Sequence, residues 1–394
     1  MNIEEQLKKI NIEFDSHPAI FDLGNEKDQK IVAELFDQKK ILSVMDDYKE
    51  QLHELFAIKN PTLVYAPDFE KKFDEYYSTI EKEKSIQLHG KWVYFPWLFN
   101  LVHILDKEDF LSVRTARNRY LIDPEEQSKF YNTTIGIAGL SVGNSVALAI
   151  VMQGGGGRLK LADFDRFALT NTNRIRAGIE NLGLRKVEMA ARQIYCINPY
   201  TEIDLFYEGL TDQNIEKFFG DPKLDIVIDE LDSMAIKLRI REYAKKYKIA
   251  VAMGADNGDN AIIDIERYDL DSNIKPFQGR LGDITYDELN NLDKFGVGKT
   301  ITKFLGPENI TERMLYSLSE MGKSIVSWPQ LGGAALLNGI AVAYCVRKIL
   351  NKQSVIDNRS LMIVDELLDP DYNSEENKKR RAEKSDKFKQ MFNL

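Results

Sequence analysis

A short glycine-containing turn follows an apolar segment and could hold a phosphate. It reads Gly139-Leu-Ser-Val-Gly143-Asn144, a variant of the G-x-G-x-x-G pattern in which Ser141 and Asn144 replace the second and third glycines. Such a turn exposes backbone N–H groups at the start of a helix, where a phosphate is stabilised. By itself the pattern also fits an ordinary strand-to-helix turn. Other residues are needed to distinguish a phosphate-binding turn from such a turn.

Two acidic residues lie where the ribose of a nucleotide would bind. Asp163 stands 24 residues after Gly139, and Asp165 follows it in the sequence Asp-Phe-Asp. A carboxylate about 20 residues beyond the glycine turn accepts hydrogen bonds from ribose hydroxyls in dinucleotide-binding folds. This spacing is compatible with both NAD and ATP.

The charged residues that follow favour a triphosphate over a nicotinamide. A site that handles phosphoryl groups needs cations that neutralise the phosphates and a carboxylate that holds Mg²⁺, whereas hydride transfer needs no such set. An NAD-dependent oxidoreductase is therefore a disfavoured alternative. The residues with the required chemistry are Asn171, Arg174, Lys186 and Asp232.

The elements that must position these residues alternate between strand and helix from Thr133 onwards. This alternation predicts an α/β fold, namely a Rossmann-like, doubly wound, mostly parallel sheet. The predicted strands are residues 135–138, 159–162, 203–207, 224–228, 249–253 and 261–268, and the predicted helices are 145–153, 185–197, 234–247 and the apolar 332–350.

The composition divides the chain into three predicted parts. Residues 1–113 form a mixed α+β extension with two short strands within 91–105 that Pro96 separates. Residues 114–368 form the α/β domain. Residues 369–394 are highly charged and are predicted to be a flexible tail. Because the α/β core does not need the extension, it is the candidate for gripping a substrate.

Composition and charge exclude several classes of protein. Among 394 residues the net charge of −9 argues against a generic nucleic-acid binder. The acidic N-terminus does not resemble a signal peptide, and no uninterrupted apolar run has the roughly 18 residues of a membrane span. Two cysteines and no HExxH-like spacing leave no structural zinc site. These observations predict a cytoplasmic protein without a membrane anchor.

The stretch from about Arg117 to Arg267 resembles the adenylating domain of the ThiF/MoeB/HesA family, relatives of the ubiquitin-activating enzymes. That family has a glycine loop, a D-x-D…N-x-x-R segment, a lysine and D-x-x-D in this order. The matching segments are Gly139 to Asn144, DFDRFALTNTNR, RKVEMAARQIYCINP and DELDS. The nearest subgroup consists of long bacterial ThiF-like proteins, some of them fused to a nitroreductase-like domain, which this chain lacks.

The resemblance implies a role for each matching position. Asp163 would bind the ribose of ATP, and Asp165 would have a supporting or structural part. Asp232 would hold Mg²⁺. The glycine turn of Gly139, Ser141, Gly143 and Asn144 would lie against the nucleotide, and the phosphate contacts would come from Asn171, Arg174 and Lys186.

The resemblance also implies a homodimer. Arg119 resembles an arginine that family dimers insert into the partner's ATP site, with Arg114 and Arg117 as close competitors. The implied catalytic set is therefore Arg119, Arg174, Lys186 and Asp232.

Two departures from the family pattern limit the chemistry. The chain lacks the paired CxxC motifs that bind zinc in many members, so no zinc is expected. It also has no cysteine within 255–330, where thioester-forming members carry one. Cys196 and Cys345 are predicted to be core residues. The sequence therefore favours adenylation without a thioester on this protein.

The predicted function is ATP- and Mg²⁺-dependent adenylation of a carboxylate, with release of pyrophosphate. The substrate would be a peptide or small protein, such as a precursor peptide being tailored or the C-terminus of a ubiquitin-like or sulfur-carrier protein. One alternative is an enzyme like tRNA threonylcarbamoyladenosine dehydratase, although nucleic acid is not the expected partner. Another is a catalytically inactive scaffold, which the substituted glycine turn would allow.

Overall fold

The computed structural model describes Ile3 and residues 15–394, with the side chain of Lys294 excepted. The chain forms two compact units. The first unit contains the described residues up to Pro124 together with Tyr195–Tyr200, and the second contains Glu125–Ile194 and Thr201–Leu394. The predicted extension thus lies within the first unit, and the part of it that covers residues 1–2 and 4–14 lies outside the described residues. The three-part division itself stays a prediction.

The first unit is built on a four-stranded sheet in the order β1-β3-β4-β2. β2 is parallel to β4, and the other pairs are antiparallel. The two strands predicted within 91–105 are β3 and β4, and the intervening Phe99 has a left-handed φ of 52°. The strands are β1 (Ala19–Phe21), β2 (Ser43–Asp46), β3 (Lys91–Phe95) and β4 (Asn100–Ile104), and the helices are Glu26–Asp37, Tyr48–Lys59, Phe69–Glu83 and Lys107–Arg114.

A buried histidine organises the core beside this sheet. The ring of His103 is stacked between the rings of Tyr48 and Trp92, with centroids 4.0 and 4.2 Å away. Its Nδ1 lies 2.8 Å from the Asp46 carboxylate, and its Nε2 lies 2.8 Å from the carbonyl oxygen of His89. Both polar atoms are therefore satisfied, as burial requires.

The second unit contains a seven-stranded sheet in the order β11-β10-β9-β8-β5-β6-β7. β7, β6, β5, β8 and β9 are parallel, and β10 and β11 add an antiparallel edge. The predicted α/β class with a mostly parallel sheet is confirmed. The strands are β5 (Thr134–Ala138), β6 (Arg158–Ala162), β7 (Glu202–Phe206), β8 (Ile226–Asp229), β9 (Ala250–Asn257), β10 (Asn260–Glu266) and β11 (Arg359–Met362).

The central strands are short apolar runs buried on both faces, as strands between two helical layers must be. The helix Val142–Met152, which follows β5, is also apolar and almost wholly buried. The helices that lie wholly or mostly in this unit are Pro124–Tyr131, Val142–Met152, Lys186–Ile197, Ile215–Gly220, Met234–Tyr247, Tyr286–Asn290, Lys294–Leu305, Glu312–Ser319, Gly332–Leu350, Val364–Leu368 and Glu375–Phe392.

The apolar helix Gly332–Leu350 packs on Val142–Met152 and on β9 and β10. Within the described residues it is the one helix whose length and composition would allow it to cross a membrane, and 56% of its most apolar window is buried inside the protein. Packing on the sheet therefore accounts for its apolar composition.

The structure differs from the predicted flexible tail over 369–394. Residues Glu375–Phe392 form a helix whose Ser374 cap accepts the backbone N–H of Asn377. Phe388 is buried, and Arg380 and Lys384 both form ion pairs with Glu312. The charged residues that suggested a tail thus lie on a helix that packs against the rest of the unit through Phe388.

The cysteines divide into one exposed and one buried thiol. Cys345 is buried on Gly332–Leu350, as predicted, and burial raises its pKa to about 11. The predicted core position of Cys196 is wrong, because the structure exposes this residue near the end of Lys186–Ile197. The 3.6-residue period of the helix places Cys196 on an exposed side, although its neighbours in the sequence are apolar.

We expect a chromogenic disulfide reagent to label one thiol per chain in the native protein at pH 8 and two after denaturation. Cys345 is both buried and protonated at that pH, so it cannot supply the reactive thiolate. In the Cys196→Ser variant the native signal should disappear. Rapid labelling of native Cys196→Ser would contradict the described packing of Cys345.

Candidate nucleotide site

The glycine turn connects β5 to the helix Val142–Met152 at the carboxyl end of the parallel sheet. Gly139 has a φ of +87°, and a Cβ atom there would lie 2.3 Å from the carbonyl oxygen of Glu230. Only glycine fits this position. The first backbone N–H groups of the helix are left free at its N-terminus, where they can bind a phosphate.

Asp163 joins this turn to the end of β6. Its Oδ2 accepts the backbone N–H of Leu140 at 2.7 Å, and its Oδ1 accepts that of Asp165 at 2.8 Å. Burial raises the pKa of Asp163, and the Lys186 ammonium and these two N–H groups oppose the rise. The carboxylate therefore fixes the turn, and its contact with ribose hydroxyls stays a prediction.

Lys186 and Asp165 form an ion pair beside Asp163. The Nζ of Lys186 lies 2.7 Å from Asp165 Oδ2 and 3.9 Å from Asp163 Oδ2. Lys186 is buried, whereas the side chain of Asp165 is half exposed. The pair holds the ammonium group beside Asp163, and the supporting role expected of Asp165 stays a prediction.

Arg174 approaches the turn from the loop after β6. Its Nε donates to the Oγ of Ser141 at 3.0 Å, so the serine that replaces the second glycine anchors the guanidinium. Burial lowers the pKa of Arg174, and the carboxylates of Asp256 and Asp232 counteract this. The structure thus brings Ser141, Asp163, Arg174 and Lys186 together around one turn, and their contacts with a nucleotide stay predictions.

Three other predicted contacts have structural partners. The buried Asn144 donates to Gln193 Oε1 at 2.8 Å, and Asn171 Oδ1 accepts the backbone N–H of Ala168 at 2.9 Å. Gly143 lies close to β5, since a Cβ there would be 3.1 Å from Ile137. In this conformation Asn171 stabilises the loop after β6, and Asn144 joins the helix Val142–Met152 to the helix Lys186–Ile197. The nucleotide contacts of both residues stay predictions.

The remaining predicted residues are less closely tied to the turn. Asp232 is exposed just before the helix Met234–Tyr247. Arg119 belongs to the first unit, where it ends a short 3₁₀ turn, so its role also stays a prediction.

Two acidic residues at the carboxyl end of the parallel strands were not among the predicted site residues. Glu230 follows β8 and accepts the backbone N–H of Gly254 at 2.8 Å. Asp256 lies near the end of β9, buried, with amide donors from Asn338 and Gln330. Burial raises the pKa of both carboxyl groups. A signal existed, because both residues follow predicted parallel strands whose carboxyl ends meet at one edge.

The acidic residues of the site bear on whether a metal ion can bind there. Among the described residues, no group of three or more His, Cys, Asp or Glu side chains is arranged to hold a metal ion. Mg²⁺ in nucleotide sites is bound through one or two carboxylates together with the phosphates. An exposed Asp232, whose charge acts on Arg174, is compatible with such a site.

Comparison with known proteins places the chain in a family. Residues 115–259 match the ThiF family. The tRNA threonylcarbamoyladenosine dehydratase of Escherichia coli is 31% identical over 190 residues, which cover 47% of this chain and 68% of that protein. The chain belongs to the ThiF family, as the sequence motifs indicated.

Other relatives share less of their length or sequence. The uncharacterized protein MT1398 of Mycobacterium tuberculosis is 36% identical over 259 residues, 66% of this chain. The chain spans 36% of that protein and 57% of the Bacillus subtilis tRNA threonylcarbamoyladenosine dehydratase. The crystal structure of PaaA is 20% identical with a TM-score of 0.45, and the match covers 64% of this chain and 76% of PaaA.

We expect Gly139→Ala to lower the free energy of unfolding by about 2–4 kcal/mol, because its Cβ would collide with backbone as well as adopt a left-handed φ. Chemical denaturation measures this. Gly183→Ala is the matched control, since Gly183 has a φ of +83° but open space around it, and should cost about 1 kcal/mol. Equal losses in the two variants would contradict the described contact with Glu230.

Proposed function

We propose that this chain adenylates a carboxylate with ATP and Mg²⁺. The observation that carries the proposal is the convergence of Asp163, Lys186 and Arg174 on one glycine turn in a chain of the ThiF family. The buried carboxylate can accept ribose hydroxyls, and the two cations can neutralise a triphosphate. A site of this composition suits nucleotide activation better than hydride transfer.

The reaction needs few proton movements. A carboxylate oxygen of the substrate bonds to the α-phosphorus of ATP, the bond from that phosphorus to the bridging oxygen of the β-phosphate breaks, and pyrophosphate leaves with the electron pair. A carboxylate is already ionised at neutral pH, so no general base is required. Lys186 and Arg174 stabilise the negative charge, and positioning supplies much of the remaining acceleration.

Asp232 is the residue we assign to Mg²⁺. It is exposed and close enough to Arg174 to influence the pKa of the guanidinium. When bound, the ion would neutralise charge on the departing pyrophosphate. No zinc is part of the proposal.

A peptide or small protein is the substrate class we favour. In the first unit, β2 is an edge strand that pairs with β4, and all four of its residues are exposed, Val44 and Met45 among them. An exposed apolar edge offers backbone groups on which an extended peptide can form another strand. This supports a gripping role for the extension.

We also propose a cytoplasmic homodimer. Leu336, Ile340 and Tyr344 recur every four residues along Gly332–Leu350 and are exposed, so they form an apolar stripe suited to a second copy. Arg119 would act in the partner's site, by analogy with the family. Both cysteines are free thiols, which is compatible with a reducing compartment.

We expect calorimetry to detect micromolar binding of Mg-ATP and no binding of NAD. Lys186→Ala should weaken ATP binding at least tenfold, because a buried cation is removed from the phosphate side. Asp232→Ala should weaken Mg-ATP more than metal-free ATP. Lys129→Ala, an exposed lysine of the second unit, is the matched control and should bind like the parent chain.

NAD binding in place of ATP would overturn the proposed mechanism. A chain that binds ATP but supports no pyrophosphate exchange with any carboxylate would be an inactive scaffold instead. Pyrophosphate exchange also provides the screen for peptide substrates.

A tRNA substrate is the second candidate, because the E. coli relative at 31% identity carries that function in its name. The acidic net charge of −9 makes it the weaker one. We expect fluorescence anisotropy to show no tRNA binding between about 50 and 200 mM salt, where phosphate-driven binding would change steeply. Tight binding that falls with salt would favour the tRNA candidate.

A further inference from the structure

Arg174 is held from several sides. Besides the bond from Nε to Ser141, its Nη1 donates to the carbonyl oxygen of Thr170 at 3.0 Å and to Oδ1 of Asn173 at 2.9 Å. Within the described part of the chain, Nη2 donates to no protein acceptor. Two nitrogens therefore fix the guanidinium, and the third is left for a phosphate.

The hydrogen bonds continue from Asn173 away from the glycine turn. Asn173 Nδ2 donates to the carbonyl oxygen of Gln330 at 2.8 Å, and Gln330 Nε2 donates to Asp256 Oδ2 at 3.1 Å. Asn338 Nδ2 donates to the other carboxylate oxygen of Asp256 at 2.6 Å. A connected chain of polar groups thus links Arg174 to residues 328–331 and to the helix that follows.

Close packing reinforces this connection. A Cβ on Gly332, the first residue of the helix Gly332–Leu350, would lie 2.5 Å from the carbonyl oxygen of Asn173. The loop that carries Arg174 and the start of the helix are therefore packed so closely that only a glycine fits at position 332.

The series of hydrogen bonds from Arg174 ends at a buried carboxylate that directly contacts no cation among the described residues. Asp256 is 5% exposed and Asn338 is fully buried. Both oxygens of the Asp256 carboxylate accept neutral amide groups, and Arg174 is the cation whose charge acts on it. Because burying a carboxylate without a contacting cation is costly, its placement beside Arg174 suggests a functional reason.

We propose that Asn173, Gln330 and Asp256 are positioning residues that hold Arg174 for ATP and couple nucleotide binding to the position of residues 328–331. This inference rests on the proposed function. Trp328 lies within that segment and is partly buried against the neighbouring hydrophobic core, so it can report the coupling.

The test combines calorimetry with Trp fluorescence during ATP titration of the full chain. Asn173→Ala removes both the acceptor for Arg174 and the donor to Gln330. Asn173→Asp keeps the acceptor but removes the donor. Asn181→Ala is the matched control, because Asn181 lies in the same loop and its side-chain amide donates to Gly178 and Glu180, away from Arg174. Trp328→Phe identifies the fluorescence signal, and thermal melting checks the folding of every variant.

We expect ATP to change the fluorescence of the parent chain and of Asn181→Ala but not of Trp328→Phe. Asn173→Ala should bind ATP about 5- to 10-fold more weakly and lose the signal. Asn173→Asp should bind ATP within about threefold of the parent and also lose the signal, which a general loss of structure would not produce.

Unchanged ATP affinity in Asn173→Ala, or a parent-like signal in Asn173→Asp, would overturn the inference. ATP binding by the parent chain without a Trp328 signal would overturn the coupling and leave the proposed function standing. A parent chain that binds no ATP would overturn both.

Discussion

The carboxylate of Asp163 is the constraint on which the site depends. It accepts one backbone N–H from the glycine turn and one from the Asp-Phe-Asp turn, and it does so in a desolvated position beside Lys186. One side chain therefore joins the turns that follow the paired strands β5 and β6. Because a buried charge is tolerated only when it is hydrogen-bonded and compensated, Lys186 and in turn Asp165 have to be where they are.

Arg174 is the second side chain that is held at the glycine turn. Its anchor is Ser141, which stands where the glycine-rich pattern has its second glycine. A glycine at position 141 would offer no hydroxyl, whereas Ser141 accepts from the guanidinium. The substitution that suggested a weakened phosphate loop thus provides an anchor for the Arg174 guanidinium. The two side chains lie at one turn, which is compatible with a nucleotide held between a ribose-binding acid and cations.

The sequence predicted those features that depend on the order of neighbouring residues along the chain. The βα alternation predicts the sheet, and the family resemblance of the motifs predicts a nucleotide site that includes Asp163, Lys186 and Arg174. The sequence indicated Glu230 and Asp256 only through their place after predicted parallel strands, and it could not show that β5, β8 and β9 are neighbours in the sheet. It also failed for Glu375–Phe392, because docking through Phe388 and the ion pairs to Glu312 is a tertiary effect that charge density conceals.

The most direct measurement is a crystal structure of the chain grown with Mg²⁺ and a non-hydrolysable ATP analogue. We expect the ribose hydroxyls to bind Asp163, the phosphates to lie within hydrogen-bonding distance of Arg174 Nη2 and Lys186 Nζ, and the metal ion to bind Asp232. A nucleotide bound elsewhere on the chain, or phosphates that leave Arg174 and Lys186 uncontacted, would contradict it.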